Sequence, residues 1–249
     1  MPGASVAVVI PARYGSTRLP GKPLADIAGR PMIQHVIERC RRARGVAEVL
    51  VATDDERVAK AAREGGVRAV LTSPECASGT DRVAEVARGH AAEIFINVQG
   101  YEPLLEPGAI EELAHCLRGG VPMATLCRPA QPGEDLTDPN TVKVALDQRG
   151  DALYFSRSPI PFFRDGRPPG ALSFVHVGIY GYQRDFLFQF AALPPGRLER
   201  AERLEQLRAL EHGHKIRVVP TPYASVSVDT PEDLERVRQL ALATDRVVH

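Results

Sequence analysis

Apolar positions in the first half of the chain follow two alternating rhythms. Val6–Pro11 is a continuous apolar run, the pattern of a strand covered on both faces. Met32, Ile33, Val36, Ile37 and Cys40 then recur at helical spacing, with Pro31 suited to a first helical position. The same reading predicts strands over 48–53, 67–71 and 93–98, and helices over 55–64, 80–88 and 107–117. Beyond residue 140 the rhythm changes. Strands are predicted over 141–147, 152–156 and 173–183 with no long helix between them. A helix over 199–212 with Leu204, Leu207 and Leu210 on one face, a strand over 215–219 and a helix from Pro231 complete the reading.

Strand–helix alternation of this kind predicts an α/β fold: a doubly wound, mostly parallel sheet with right-handed crossovers. Its ligands belong at the carboxyl ends of the strands, in the loops after Pro11, Thr53, Leu71 and Val98. The expected organisation is one domain over residues 1–249. An antiparallel insertion at about 138–183 would form a small sub-domain, serving as a lid or a subunit interface.

Charge and cysteine content narrow the partners. Lys plus Arg and Asp plus Glu both total 31 in 249 residues. A net charge of zero gives no electrostatic case for nucleic acid or a membrane surface, so any phosphate site must come from local clustering of cations. The four cysteines, Cys40, Cys76, Cys116 and Cys127, have no C-x-x-C spacing, which argues against structural zinc and for a reducing compartment. The amino-terminal residues lack the basic and long apolar regions of a signal peptide, and no apolar run reaches a membrane span. The expected location is cytoplasmic.

Such clustering occurs directly after the first strand. The segment PARYGSTRLPGKPL places Arg13, Arg18 and Lys22 among Gly15, Ser16, Thr17 and Gly21. Glycines let a backbone approach a ligand closely, and exposed N–H groups with Arg and Lys suit triphosphate oxygens. A basic surface loop with turn glycines has the same composition; its position at the binding edge of the sheet favours the ligand reading. The segment fits neither G-x-G-x-x-G nor G-x-x-x-x-G-K-[ST], which disfavours a dinucleotide fold and a P-loop ATPase.

IPARYGSTRLPGKPL resembles the signature loop of the 3-deoxy-manno-octulosonate cytidylyltransferase (CMP-Kdo synthetase) family. The resemblance continues through VATDDERVA (51–59), SGTDRVAEV (78–86), NVQG (97–100), DPNTVKVALD (138–147), ALYFSRSPIPF (152–162), HVGIYGYQRDFL (176–187), LEQLRALEHGHKI (204–216) and VDTPEDLERV (228–237). It implies a nucleotide-diphospho-sugar transferase-like, Rossmann-like fold. It also implies transfer of CMP from CTP to an acidic sugar, for lipopolysaccharide or related glycan synthesis, with magnesium as cofactor and a homodimer as assembly.

Carried over residue by residue, the resemblance assigns nucleotide contact to Pro11, Ala12, Arg13, Ser16, Arg18, Lys22, Ser78, Gly79, Gln99 and Gly100. Arg18 and Lys22 would steady the charge on the triphosphate in the transition state. Arg157, His176, Tyr180, Glu205 and Gln206 would form the sugar-acid pocket, and Asp229 would be catalytic as a magnesium ligand. Local readings stand beside these: Ser78 as a helix cap, Arg157 as a surface charge, His176 as a hydrogen-bonded strand residue, Glu205 as a solvated helix face, and Asp229 as the N-cap of the helix from Pro231.

Two positions depart from the family. The pattern N-V-Q-G-D-E-P reads here Asn97-Val98-Gln99-Gly100-Tyr101-Glu102-Pro103, so a phenol, neutral at pH 7, replaces the second magnesium aspartate. Cys76 stands where the family usually has histidine. Three readings remain open at Tyr101: a sporadic substitution in an ordinary enzyme, a metal held differently by Asp229, Glu102 and the triphosphate itself, or a nucleotide-binding homologue with weak catalysis. A cytidylyltransferase for another sugar acid is a further alternative.

Overall fold

The structure, a computed structural model, describes residues 3–15, 19–166, 173–224 and 226–245. Strand β1 (Val6–Pro11) is buried along its whole length, and its alternate side chains enter different cores. Val6, Val8 and Ile10 join one apolar cluster, and Ala7 and Val9 the other. A 3-10 turn (Lys22–Leu24) and the short strands β2 (Asp26–Ile27) and β3 (Arg30–Pro31) lead into α1 (Met32–Arg42). Pro31 thus precedes the helix and pairs with Asp26, one position earlier than the spacing predicts. Then follow β4 (Glu48–Thr53), α2 (Glu56–Glu64), β5 (Arg68–Leu71), α3 (Gly79–Arg88), β6 (Ile94–Asn97) and α4 (Pro107–Arg118). All of these elements lie within two residues of the predicted bounds, because pattern and burial agree here.

The second half contains β7 (Met123–Pro129), β8 (Lys143–Leu146), β9 (Ala152–Ser156), β10 (Phe174–Gln183), α5 (Arg184–Ala192), α6 (Arg197–Glu202), α7 (Leu207–Glu211), β11 (Arg217–Pro220) and α8 (Pro231–Asp245). The main sheet runs β11-β7-β10-β6-β1-β4-β5, with β8 joined to β10 and β9 to β8. Pairing is parallel except around β10, which is antiparallel to β6, β7 and β8, and between β8 and β9. The mostly parallel α/β sheet is therefore as expected, with one long strand reversed at its centre.

Helices α1, α2 and α4 cover one face of the sheet, and α3, α5 and α7 the other. A third apolar cluster joins Ile27, Met32, Val228, Leu234 and Val237 and brings α8 back beside the first loop.

The antiparallel addition expected at about 138–183 is present as β8, β9 and β10, with Tyr180 to Gln183 of β10 pairing with β6 inside the main sheet. Three other points of the sequence reading need correction. Strand β7 is absent from the sequence reading; its buried run from Met123 to Cys127 follows directly on Gly119, Gly120 and Pro122. Helix α5 is also absent from it; its Phe-rich sequence suits a strand by propensity, whereas the burial of Phe186, Leu187 and Phe190 at helical spacing decides the outcome.

The helix expected over 199–212 is two helices. Arg203 adopts the left-handed region (φ 52°). The Arg157 guanidinium donates to the carbonyls of Glu202 (2.6 Å) and Arg203 (3.3 Å), satisfying acceptors that a continuing helix would use itself.

Candidate active site

The loop after β1 closes on itself before it reaches the 3-10 turn. Gly21 sits at φ 70° and its N–H donates to the Tyr14 carbonyl (3.1 Å); a side chain there would meet the Tyr14 ring. Tyr14 in turn lies under the Arg57 guanidinium, 3.5 Å from its ring centroid. Across the sheet edge, Gly100 packs so that a Cβ would stand 3.0 Å from the Pro11 carbonyl oxygen. These close approaches hold the ends of β1 and β6 side by side.

A cavity of about 380 Å³ opens there, lined by Pro11, Ala12, Arg13, Lys22, Gly79, Gln99, Gly100 and Tyr101, among others. Of the predicted nucleotide residues, Ser16 and Arg18 lie outside the described residues. Ser78 does not line the cavity. Its hydroxyl accepts from the Asp81 N–H (3.1 Å), and its own N–H donates to Asp81 Oδ2 (2.9 Å), a capping box that starts α3. Arg13 donates to the carbonyl of Cys76 and so ties the first loop to the segment before α3. The Cys76 thiol faces Glu85 Oε2 at 3.2 Å, and burial pushes it up to about 11.

Arg82 is a lining residue that sequence reasoning missed. It is fully buried, with Nη1 and Nη2 donating at 2.6 Å to Thr72 and Asp54, and its Nε has no hydrogen-bond partner among the described residues. The available signal was an arginine within the apolar α3 segment of SGTDRVAEV, which only a ligand or an acidic partner would balance.

A second cavity of about 640 Å³ adjoins the first, and Gln99 and Tyr101 line both. Arg157, His176, Tyr180, Gln206 and Asp229 line it, together with Arg128. His176 reaches it because strand alternation puts His176 and Tyr180 on one face of β10, while at the irregularity between Val177 and Tyr180 the Ile179 carbonyl meets Thr125. Thr125 Oγ1 donates to that carbonyl (2.7 Å), so at 2.9 Å from His176 Nε2 it must accept. His176 is therefore the Nε2–H tautomer, and its Nδ1 is left as an acceptor. Burial against Phe155 and Tyr180 holds this imidazole neutral and lowers it to about 3.

Gln206 is 4% exposed and its Nε2 has no partner among the described residues, which leaves a donor at the cavity wall. Arg157 also donates to the Pro139 carbonyl (2.6 Å), so three of its five N–H groups already brace backbone. Arg128 is chelated by Glu134 (2.8 and 2.5 Å).

Glu205 is not brought to the cavity wall. The turn after Arg203 directs it beneath α3, where Oε2 accepts from Thr80 (2.7 Å) and burial raises its carboxyl above the usual range. Nor does it lie on a helix face: it falls in the turn between α6 and α7 with its side chain 29% exposed.

Asp229 does not cap α8. Thr230 does so, accepting from the Asp233 N–H (3.2 Å), while Asp233 Oδ2 accepts from the N–H groups of Thr230 (2.9 Å) and Asp229 (3.0 Å). The Asp229 carboxylate instead receives Lys22 Nζ at 2.9 Å, and the same ammonium lies 4.1 Å from the Tyr101 ring centroid. These residues do not fit the paired-carboxylate magnesium site that the resemblance implies. One carboxylate is matched to an ammonium, the other position holds a phenol, and among the described residues no three His, Cys, Asp or Glu converge.

A mostly parallel α/β sheet with a cation-bearing loop at its carboxyl edge and two adjoining cavities there is an arrangement that suits a nucleotidyltransferase. The sequence pattern of the cytidylyltransferase family matches residues 7–216, and the chain belongs to that family. It is 58% identical over 97% of its length to a 3-deoxy-manno-octulosonate cytidylyltransferase of Anaeromyxobacter sp. (strain Fw109-5), covering 98% of that protein. It is 54% identical over 94% of its length to the protein of that name from Geobacter sulfurreducens, again covering 98%. Among solved structures, a CMP:2-keto-3-deoxy-manno-octonic acid synthetase complexed with CTP superposes with a TM-score of 0.91 at 48% identity, covering 97% of this chain and all of that one.

Proposed function

We propose that this chain transfers CMP from CTP to 3-deoxy-manno-octulosonate, releasing pyrophosphate. The observation that carries the reading is the pair of adjoining cavities with Gln99 and Tyr101 as their common wall, in a chain 48% identical to a synthetase solved with CTP. The smaller cavity takes the nucleotide. Lys22 stands at its junction with the larger one, where a triphosphate would meet an acceptor. Arg13 and the backbone at Gly79 and Gly100 shape its walls.

The larger cavity takes the sugar acid. His176 offers an acceptor, Gln206 a donor and Arg157 its remaining N–H groups, a set suited to hydroxyls and one carboxylate. The anomeric hydroxyl oxygen attacks the α-phosphorus. The bond to the bridging oxygen breaks, pyrophosphate departs with that electron pair, and the hydroxyl proton is released. Lys22 offsets charge on the phosphates as they separate. Magnesium belongs to this proposal as the counter-ion of the triphosphate. Glu205 acts from behind the wall, fixing Thr80 at the start of α3.

The further proposals are a cytoplasmic location and a homodimer. Four free thiols favour the first; the exposed Phe162 (86%) and Leu153 (63%) favour the second. Pyrophosphate release measured across CTP, UTP, ATP and GTP with a panel of sugar acids tests the assignment. CTP with 3-deoxy-manno-octulosonate should give the highest kcat/KM. A clear preference for UTP or GTP, or CTP binding without release, would overturn it.

A further inference from the structure

The junction of the two cavities is built around one ammonium group. Lys22 lines the smaller cavity, Asp229 the larger and Tyr101 both. Lys22 Nζ sits between the other two, 2.9 Å from Asp229 Oδ1 and 4.1 Å from the centroid of the Tyr101 ring. The lysine side chain is 13% exposed and that of Asp229 33%, so the pair is sheltered while its carboxylate still faces the larger cavity. The ring has firm backing. Tyr101 packs against the cluster of Ile27, Met32, Val228, Leu234 and Val237, and its carbonyl accepts from the Val228 N–H (2.9 Å). The 3-10 turn that carries Lys22 is fixed from the other side by Gly21.

Two consequences follow from charge and flexibility. Lysine has a long, freely rotating stem, so a lysine that must meet a phosphate loses entropy on binding unless it is already held. An aromatic face and a carboxylate on opposite sides hold it. Asp229 Oδ1 is also already taken by the Lys22 ammonium at 2.9 Å, so a dication placed on that oxygen would have to displace the ammonium and then remain beside it.

We propose that Tyr101 is a positioning residue. Its ring, with Asp229, presets the Lys22 ammonium as the fixed cation of the phosphate site, and the chain by itself has no tight divalent-metal site. The proposal rests on reading the smaller cavity as a nucleoside triphosphate site.

The test has two arms. In the first, CTP binding is measured by calorimetry in EDTA for the parent chain, Tyr101→Phe, Tyr101→Leu, Lys22→Ala and Lys22→Ala/Tyr101→Leu. Tyr101→Phe, which keeps the ring, should hold affinity within about twofold, and Tyr101→Leu should weaken it by about tenfold. In the Lys22→Ala background the same Leu substitution should cost nothing further, because the ring acts only through the ammonium. An equal loss with and without Lys22 would overturn the positioning role. In the second arm, Mn2+ binding to the nucleotide-free parent chain is followed by electron paramagnetic resonance, which needs no variant to fold. Dissociation constants in the millimolar range are expected, and micromolar binding would overturn the absence of a resident site. The first arm runs equally well with whichever triphosphate binds, so a preference for UTP would sink the cytidylyl reading and leave this one standing.

Discussion

Acidification acts on the larger cavity through His176. The imidazole keeps its Nε2 proton on Thr125 and lies edge-on to Phe155, with ring centroids 5.1 Å apart, so a second proton at Nδ1 would place charge among apolar rings. Its shift from 6.5 to about 3 corresponds to roughly 5 kcal/mol against protonation in the fold, less to the extent that water in the cavity screens the charge. The folded value lies below the unfolded one. The stabilisation is therefore fully present above pH 6.5 and is lost as pH falls from 6.5 toward 3, by up to about 1.4 kcal/mol per unit. Urea unfolding at pH 7 and pH 5 should show the parent losing up to about 2 kcal/mol more than His176→Gln. Proton–nitrogen correlation spectra should show a neutral Nε2–H ring at pH 5, and kcat/KM for the sugar acid should carry no ionisation from this residue between pH 5 and 8. An imidazole titrating near 6.5, or an Nδ1–H tautomer, would refute the hydrogen-bond assignment together with the acceptor role built on it.

Lys22→Ala should cost about 2–4 kcal/mol in transition-state stabilisation, tens- to a thousand-fold in kcat/KM, while changing unfolding free energy by about 1 kcal/mol or less; equal rates would place Lys22 outside the chemistry. Tyr101→Asp should create a second carboxylate beside Asp229, lowering the magnesium concentration for half-maximal rate by about tenfold and raising turnover. Asp229→Ala in that background should cancel the gain, and an unchanged magnesium titration would count against the geometry. Thr80→Val removes the donor that eases the burial of Glu205 and should cost about 1–3 kcal/mol at pH 8. Because the Glu205 carboxyl is raised in the fold, that cost should shrink as pH falls toward 4.5, and a pH-independent loss in urea titrations would contradict it.

The elements legible in the sequence were those where one physical signal dominates. Strands β1, β4 and β6 are apolar because both faces are covered, and α1, α2 and α4 carry one clean stripe each. What escaped was decided by distant partners. The break at Arg203 depends on a guanidinium from residue 157 taking the carbonyls of the preceding helix, which no local spacing encodes. Arg82 is balanced by Asp54 and Thr72 from other elements. At the site, the sequence resemblance named residues that do line the two cavities, Lys22, Gln99, His176, Tyr180, Gln206 and Asp229 among them. It could not say that Glu205 lies behind the wall or that three N–H groups of Arg157 are committed to backbone, because residue type does not reveal which neighbours a side chain meets.

Strand β10 occupies the middle of the sheet but comes late in the chain, at Phe174–Gln183. Until those residues leave the ribosome, β6 presents Ile94, Phe95 and Ile96 along an unpaired edge, and β7 has no neighbour joining it to β6. Roughly seven-tenths of the polypeptide must be synthesised before its centre can close, so the nascent protein spends that interval with an adhesive border exposed. Chaperone demand, yield on overexpression and tolerance of premature termination should all be governed by the arrival of this one strand rather than by the amino-terminal half that carries the smaller cavity.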